Sequence, residues 1–182
     1  MTTRTAEHPI SEAILNRWSP RAYDTKEVPE EILHRVFEAA RWAPSANNKQ
    51  PWRYLVANTP EQLEIFHSFI LEGNLAWAHK APVLTLLISQ NDYGMNSFDA
   101  GTSWGFLALQ ATKEGLITHP MGGIDREKAR EVLNIPTEYD IHLAIAIGYQ
   151  GDAAELPERF QEREVPSTRK PLEEVLIHGS FK

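Results

Sequence analysis

Apolar residues recur every three or four positions in several stretches of the chain and form short unbroken runs in others. The first pattern is typical of helices with one buried face, and the second of buried strands. Proline marks several boundaries, since Pro29 suits the first turn of a helix and Pro44 ends one. The predicted helices span residues 9–17, 29–43, 60–71, 99–115, 125–133 and 171–177, and the predicted strands span 52–57, 83–89 and 142–148.

The predicted helix at 99–115 is apolar nearly all round, with Phe106, Leu107 and Leu109 among its residues. Such a helix is buried in a large core or against a second chain. The run at 83–89 also has almost no polar face, so we expect it in the middle of a sheet. The length and these two segments predict one domain over residues 1–182.

Residues 151–166 are polar and charged, and they do not contain enough apolar residues to form a core of their own. This segment is therefore either a disordered tail or an arm that lies on another surface. The apolar residues that follow favour an arm, because an unstructured tail has no use for them. They are Leu172, Val175, Leu176 and Ile177. We expect residues 151–182 to form a C-terminal arm that wraps a partner subunit.

The composition limits the partners that the protein can have. The formal net charge is -7 over 182 residues, which disfavours non-specific binding to nucleic acid or to an anionic membrane surface. There is no cysteine, so disulfides and thiolate chemistry are excluded. No apolar run has the length of a membrane span, and the first residues show no apolar leader. We expect a cytoplasmic protein without nucleic-acid or membrane partners.

The usual signals of several enzyme classes are missing from the sequence. No G-x-G-x-x-G follows a predicted strand, and no phosphate-binding Walker loop occurs. The seven histidines include no pair three or four positions apart, so a helical metal pair is absent. No G-x-S-x-G nucleophile turn is present. We expect no metal site and no catalytic nucleophile.

A small basic cluster follows the first predicted helix. Pro20 keeps Ser19 extended, and alternate side chains of an extended segment share a face, so Arg17, Ser19 and Arg21 point toward one ligand. Arginine binds oxyanions through two parallel hydrogen bonds, which suits a phosphate. The alternative is a solvated helix end with arginines near the negative end of the helix dipole.

A second polar segment lies between Pro44 and Pro51. The two prolines prevent a regular helix or strand, so Ser45, Asn48 and Gln50 lie on a rigid loop. Hydroxyl and amide groups in such a loop can hydrogen-bond a planar heterocycle that carries donors and acceptors. The alternative is a simple connection whose polar side chains satisfy its own backbone.

The two segments together, R-x-S-x-R at 17–21 followed by A-P-S-x-x-N-x-Q-P-W at 43–52, resemble the nitroreductase family of FMN-dependent oxidoreductases. The resemblance runs from about residue 10 to about residue 177. It implies an α+β fold with a mixed, mostly antiparallel central sheet flanked by helices, in a homodimer with FMN at the interface. It also implies reduction of nitroaromatics, quinones or similar electron-poor acceptors by NADH or NADPH, through two hydride transfers at flavin N5.

The resemblance assigns cofactor-binding roles to residues along the whole chain. Arg17, Ser19 and Arg21 would hold FMN from one subunit, while Pro44, Ser45 and Asn48 would approach it from the other. Asn74 would bond the pyrimidine edge, Gly122 and Gly123 would offer backbone N–H near N5, and Arg169 would bind the phosphate. Each has a plainer alternative: Gly73-Asn74 as a turn, Gly122-Gly123 as a turn before a cap at Asp125, and Arg169 as a solvated residue, with Lys170 able to replace it.

Two positions depart from the family pattern. Many relatives carry a basic residue near flavin N1 where this chain has Trp77, and Arg21 is the candidate to supply that charge instead. Many also carry a basic residue where this chain has Ser167. The sequence leaves two other functions open: a different flavin reaction on the same scaffold, such as dehalogenation or dehydrogenation, and a non-enzymatic flavin-binding or stress-interaction protein.

Overall fold

The computed structural model describes residues 4–181, which form an α+β fold as predicted. Its strands are β1 (Trp52–Ala57), β2 (Val83–Gln90), β3 (Ile117–Met121) and β4 (Tyr139–Gly148). Its helices are α1 (Glu12–Asn16), α2 (Glu30–Arg41), α3 (Pro60–His67), α4 (Glu72–Ala78), α5 (Asn96–Lys113), α6 (Arg126–Val132) and α7 (Glu158–Gln161). Short 3-10 turns occur at Ala46–Asn48, Ala153–Glu155 and Leu172–Glu174.

The four strands form one sheet in the order β1-β2-β4-β3. Every pairing between them is antiparallel, so the described part of the chain contains no parallel pair. Strand β2 lies in the interior of the sheet and is buried on both faces, as its continuous apolar run predicts. Antiparallel pairing was expected from the family resemblance and is confirmed.

Helices cover both faces of the sheet, because alternate residues of its central strands point to opposite sides. On one face, Leu84 and Leu86 join a core cluster with Trp77. On the other face, Val83 and Leu87 join a second cluster that includes residues of α2 and α5. The result is a three-layer arrangement in which the cofactor-binding candidates lie mainly on the connecting segments.

Two local predictions were wrong. The helix predicted over 60–71 ends at His67, because Ile70 leaves the helical path to form a β-bridge with Ile124, and helix α4, which begins at Glu72, was not predicted. Asn74, for which a Gly73-Asn74 turn was the plainer alternative, lies in the first turn of α4. Strand β3 was not predicted, since Pro120 interrupts its pattern; the strand pairs only with β4, and proline is tolerated at a sheet edge.

The segment after β4 divides into two parts. Residues 151–164 pack on their own chain, where Leu156 joins the core and the side chain of Glu164 is buried. Residues 167–181 are exposed throughout, and the helix predicted at 171–177 is a single 3-10 turn. Any surface that covers the apolar residues of this last part lies outside the single chain.

Candidate functional site

Arg17 and Arg169, which are 152 positions apart in the sequence, line the same cavity of about 900 Å³. The cavity lies between the N-terminal segment with α1 and the C-terminal segment that follows α7. Helix α1 ends at Arg17, whose extended backbone leads to Ser19, and Arg17 Nη1 donates to Ser19 Oγ at 3.4 Å. The predicted convergence of Arg17 with Ser19, and the placement of Arg169 beside them, agree with this geometry.

A third arginine, Arg4, completes the cationic cluster. Its Nη1 donates to the carbonyl oxygens of Leu15 and Arg17 at 3.0 and 2.7 Å, and its Nε and Nη2 donate to Ser167 O at 3.1 and 3.0 Å. Arg4 therefore joins the end of α1 to the segment that carries Arg169. Burial lowers the pKa of Arg17, and the positive charges of Arg169 and then Arg4 lower it further.

No acidic side chain of the described residues forms a salt bridge with the cluster, although Glu7 lines the same cavity and its Oε1 accepts from Leu172 N. Within residues 4–181, none of the guanidinium groups of Arg4, Arg17 and Arg169 forms a salt bridge. Three like charges at one partly buried place repel each other unless an anion compensates them. The arrangement can therefore bind a phosphate group, to which arginine donates paired hydrogen bonds.

Arg21 has a different environment from Arg17, although the sequence predicts that both face one ligand. Arg21 is not among the residues that line the cavity. Its Nη1 lies 4.0 Å from Glu164 Oε2, and its guanidinium lies over the ring of Phe160, 5.8 Å from the ring centre. The charge of Arg21 is thus partly offset, whereas that of Arg17 is not.

Asn74 lies beside Gly122 and Gly123, which are 48 and 49 positions later in the chain. Asn74 Nδ2 donates to Gly123 O at 3.2 Å, and Leu71 N donates to the same oxygen at 3.1 Å. A Cβ on Gly123 would lie 2.7 Å from Asn74 Nδ2, so a side chain there would displace the Asn74 amide. The predicted cap is also present, since the Asp125 side chain accepts from Lys128 N. The structure therefore brings Asn74 and the glycine pair together.

The loop with Pro44, Ser45 and Asn48 lies apart from the cavity within one chain. None of these three residues is among those that line it. Ser45 Oγ accepts from Gln50 N at 2.9 Å, and Asn48 Oδ1 accepts from Gln50 Nε2 at 3.0 Å. These bonds agree with the alternative in which polar side chains serve their own loop, yet Asn48 remains exposed.

The backbone of this loop is strained. Asn47, Asn48 and Gln50 have φ values of 52°, 56° and 48°, in the left-handed region that residues other than glycine rarely adopt. Buried Asp99 of α5 holds the loop, because its Oδ2 accepts from Ala46 N at 3.0 Å. Strain of this kind persists where the surroundings impose it, and it is concentrated at functional sites.

Trp77, at the place where many relatives carry a basic residue, is a core residue. Its side chain is 1% exposed and lies between Tyr23 and His119, with ring-centre distances of 6.2 and 4.5 Å. His119 in turn lies 2.9 Å, through Nδ1, from Pro20 O. Because a carbonyl oxygen only accepts, Nδ1 carries the proton, and His119 thereby fixes the segment between Ser19 and Arg21.

Burial lowers the pKa of His119 from 6.5 to about 4. Between pH 6.5 and pH 4, His119 is therefore protonated in the unfolded chain but neutral in the folded chain. The free energy of unfolding decreases as the pH falls through this range. Between pH 7 and pH 4.5, we expect His119 to account for a loss of about 2 kcal/mol in the free energy of unfolding. Urea unfolding at both pH values should show a smaller loss for His119→Gln than for the wild type.

The control for this pH effect is His178→Gln, which changes an exposed histidine of the C-terminal segment. Between pH 7 and pH 4.5, the free energy of unfolding of His178→Gln should fall by as much as that of the wild type. An equal loss in His119→Gln and the wild type would contradict the role given to burial.

Residues 4–181 contain neither a membrane-spanning helix nor a group of side chains that could hold a metal ion. No helix there is long and apolar enough to span a membrane. No group of three or more histidine, aspartate or glutamate side chains there is arranged to hold a metal ion.

Comparison with known proteins identifies the family to which this arrangement belongs. The model of the nitroreductase family matches residues 14–76 and 61–149, which together cover most of the chain. The chain belongs to the nitroreductase family. This nitroreductase-family chain is 28% identical to an NADH dehydrogenase from Thermus thermophilus, over 91% of its own length and 93% of the relative's.

Solved structures agree with the family assignment. The chain is 40% identical to a protein whose crystal structure is described as an oxidoreductase containing FMN; the TM-score is 0.95, with 98% of this chain and 96% of the other covered. An FMN-dependent nitroreductase from Mycobacterium smegmatis, solved in complex with NADPH, gives a TM-score of 0.75 at 21% identity, covering 92% and 96% of the two chains. At that identity the likeness concerns the fold alone.

Sequence reasoning missed two residues of this region of the nitroreductase-family fold. Arg4 and Glu164 are single charged residues in polar segments, with no periodicity or motif around them. Their importance follows only from the fold, which brings both ends of the chain to the segment around Arg17 and Arg21.

Proposed function

We propose that this protein is an FMN-dependent oxidoreductase that uses NADH or NADPH to reduce nitroaromatics, quinones or similar electron-poor acceptors. The observation that carries the proposal is the convergence of Arg17, Arg169 and Arg4 at one cavity, where none of the three forms a salt bridge within residues 4–181. The FMN in the 40% identical structure and the NADH dehydrogenase named among the relatives support it.

The described residues fit FMN at both of its ends. Arg17, Ser19 and Arg169 form a cationic, hydrogen-bonding surface suited to the phosphate. Asn74 and the pair Gly122-Gly123 offer side-chain amide and backbone groups to the ring edge, in a place where a side chain on Gly123 would push the Asn74 amide aside. These are the residues that we propose hold the cofactor.

When bound, FMN would supply the redox chemistry, the transfer of hydride from NADH or NADPH to the acceptor in two half-reactions. The chain's own contribution is positioning and electrostatics. Asn74 and the glycine pair orient the ring, and the arginines balance the negative charge of the phosphate. No side chain is needed as a nucleophile, which agrees with the absence of the usual nucleophile motifs from the sequence.

We further propose a homodimer in which Pro44, Ser45 and Asn48 of one subunit complete the site of the other. Two observations support this. Helix α5 leaves Phe98 and Phe106 exposed by 68% and 40% of their surface, beside exposed Gly101 and Gly105, so an apolar face lacks a partner in the single chain. The loop of Asn48 is strained and exposed but lies apart from the cavity of its own chain.

Mixed dimers test whether the sites are composite. One subunit would carry Arg17→Ala and the other Asn48→Ala, with different affinity tags to isolate the heterodimer. If Arg17 and Asn48 of different subunits share a site, one site is doubly damaged and the other is intact. FMN titration should then show half of the sites with wild-type affinity. Two singly damaged sites, neither with wild-type affinity, would show that each pocket is built within one chain.

Turnover tests the enzymatic part of the proposal. The FMN-loaded protein should oxidise NADPH or NADH only slowly alone and faster when a nitroaromatic or a quinone is added. A protein that retains FMN but is not reduced by either nicotinamide cofactor would instead be a non-enzymatic flavin-binding protein. A cytoplasmic location stays a prediction.

A further inference from the structure

Glu164 is a buried carboxylate that lies against the backbone of the cofactor-binding segment. Its side chain is 1% exposed, and its Oε1 accepts from Arg21 N and Ala22 N at 2.7 and 2.8 Å. Its Oε2 is buried and has no hydrogen-bond partner within residues 4–181. Burying a carboxylate with one unsatisfied oxygen is costly, so retaining it as a mere structural tether is unfavourable.

The nearest opposite charge to Glu164 is that of Arg21, whose Nη1 lies 4.0 Å from Oε2. The same carboxylate adds to the effect of burial in raising the pKa of Tyr23 well above its ordinary value, so its field reaches the neighbouring groups. Arg21 is mostly buried too, with 24% of its side chain exposed, and solvent therefore screens the pair only partly.

The charge balance around Arg21 matters because Trp77, buried between Tyr23 and His119, cannot supply a positive charge. A cation near a flavin stabilises its reduced, anionic form and so raises the reduction potential. A carboxylate that partly neutralises this cation acts in the opposite direction.

We propose that Glu164 is a positioning residue that sets the reduction potential of the bound flavin by fixing Arg21 and offsetting its charge. The proposal rests on the proposed function and adds Arg21 to the residues near the cofactor, because Arg21 follows Arg17 and Ser19 on one segment and adjoins Pro20, whose carbonyl is held by His119 beside Trp77. Through its hydrogen bonds to Arg21 N and Ala22 N, Glu164 also joins the segment after α7 to the cofactor-binding segment. It makes the potential lower than Arg21 alone would give.

Glu164→Gln tests the proposal because Gln keeps an oxygen for the two backbone N–H groups and loses only the charge. In the FMN-loaded protein, equilibrated with a reference dye, the ratio of reduced to oxidised flavin at a fixed potential should rise about tenfold. For a two-electron couple this is a shift of about 30 mV. The control is Glu162→Gln, which removes an exposed carboxylate two residues earlier and should leave the ratio unchanged.

Arg21→Gln should shift the ratio in the opposite direction, and adding Glu164→Gln to it should raise the ratio again, because the effects of the two charges on the flavin add. The proposal is overturned if Glu164→Gln shifts the ratio no more than Glu162→Gln does. If Glu164→Gln does not fold, an unchanged potential in Arg21→Gln overturns the proposal by itself. A wild-type protein that binds no FMN would instead contradict the proposed function.

Discussion

Arg17→Gln is expected to weaken FMN binding about ten- to a hundredfold while leaving riboflavin binding nearly unchanged. Riboflavin lacks the phosphate, so the difference between the two ligands isolates the contact that Arg17 makes. The lost charge-assisted hydrogen bonds correspond to about 1.5–3 kcal/mol. Titration of flavin fluorescence with both ligands measures the effect.

The control for Arg17→Gln is Arg159→Gln, which removes an exposed arginine that does not line the cavity. It should leave both affinities as in the wild type. If Arg17→Gln weakens riboflavin as much as FMN, Arg17 supports the fold or the ring and does not bind the phosphate. An unchanged FMN affinity would remove Arg17 from the site.

Deletion of residues 166–182 is expected to abolish both FMN retention and the dimer. The deletion removes Arg169 and the exposed apolar residues of the last segment, but it keeps Leu156 and Glu164, which pack on their own chain. Full burial of an aliphatic side chain stabilises by roughly 1.5–3 kcal/mol before the cost of ordering the segment. The apolar residues concerned are Leu172, Val175, Leu176 and Ile177.

Sedimentation and visible absorbance of the shortened chain measure the two losses separately. Arg169→Gln in the full chain is the matched variant, because it should weaken FMN binding and leave the dimer intact. A shortened chain that remains a yellow dimer would mean that residues 166–182 neither cover a partner subunit nor bind the phosphate.

Much of the fold could be predicted from the sequence because the signals for its elements are local. Strand β1 coincides with its predicted bounds, and β2 extends the predicted run by one residue. Both are apolar runs between residues that disfavour strands. The edge strand β3 could not be predicted in this way, since Pro120 interrupts its sequence pattern. This strand depends on its pairing with β4, which is distant in the sequence.

The candidate site was less predictable because it depends on contacts between distant parts of the chain. Motif resemblance suggested that Arg17 and Arg169 act together, but the residues themselves gave no reason why positions 152 apart should meet. The hydrogen bonds by which Arg4 joins the end of α1 to the segment of Arg169 are also consequences of the fold. The same holds for the burial of Glu164. A single charged residue in a polar segment looks the same in the sequence whether it is solvated or buried.

Visible absorbance of the purified protein tests the central claim most directly. After incubation with FMN and removal of the free flavin, the account predicts a yellow protein with about one flavin per chain. Its flavin absorbance should be lost on anaerobic addition of NADPH or NADH and should return when a nitroaromatic or a quinone is added. A protein that stays colourless after incubation with FMN would contradict the account.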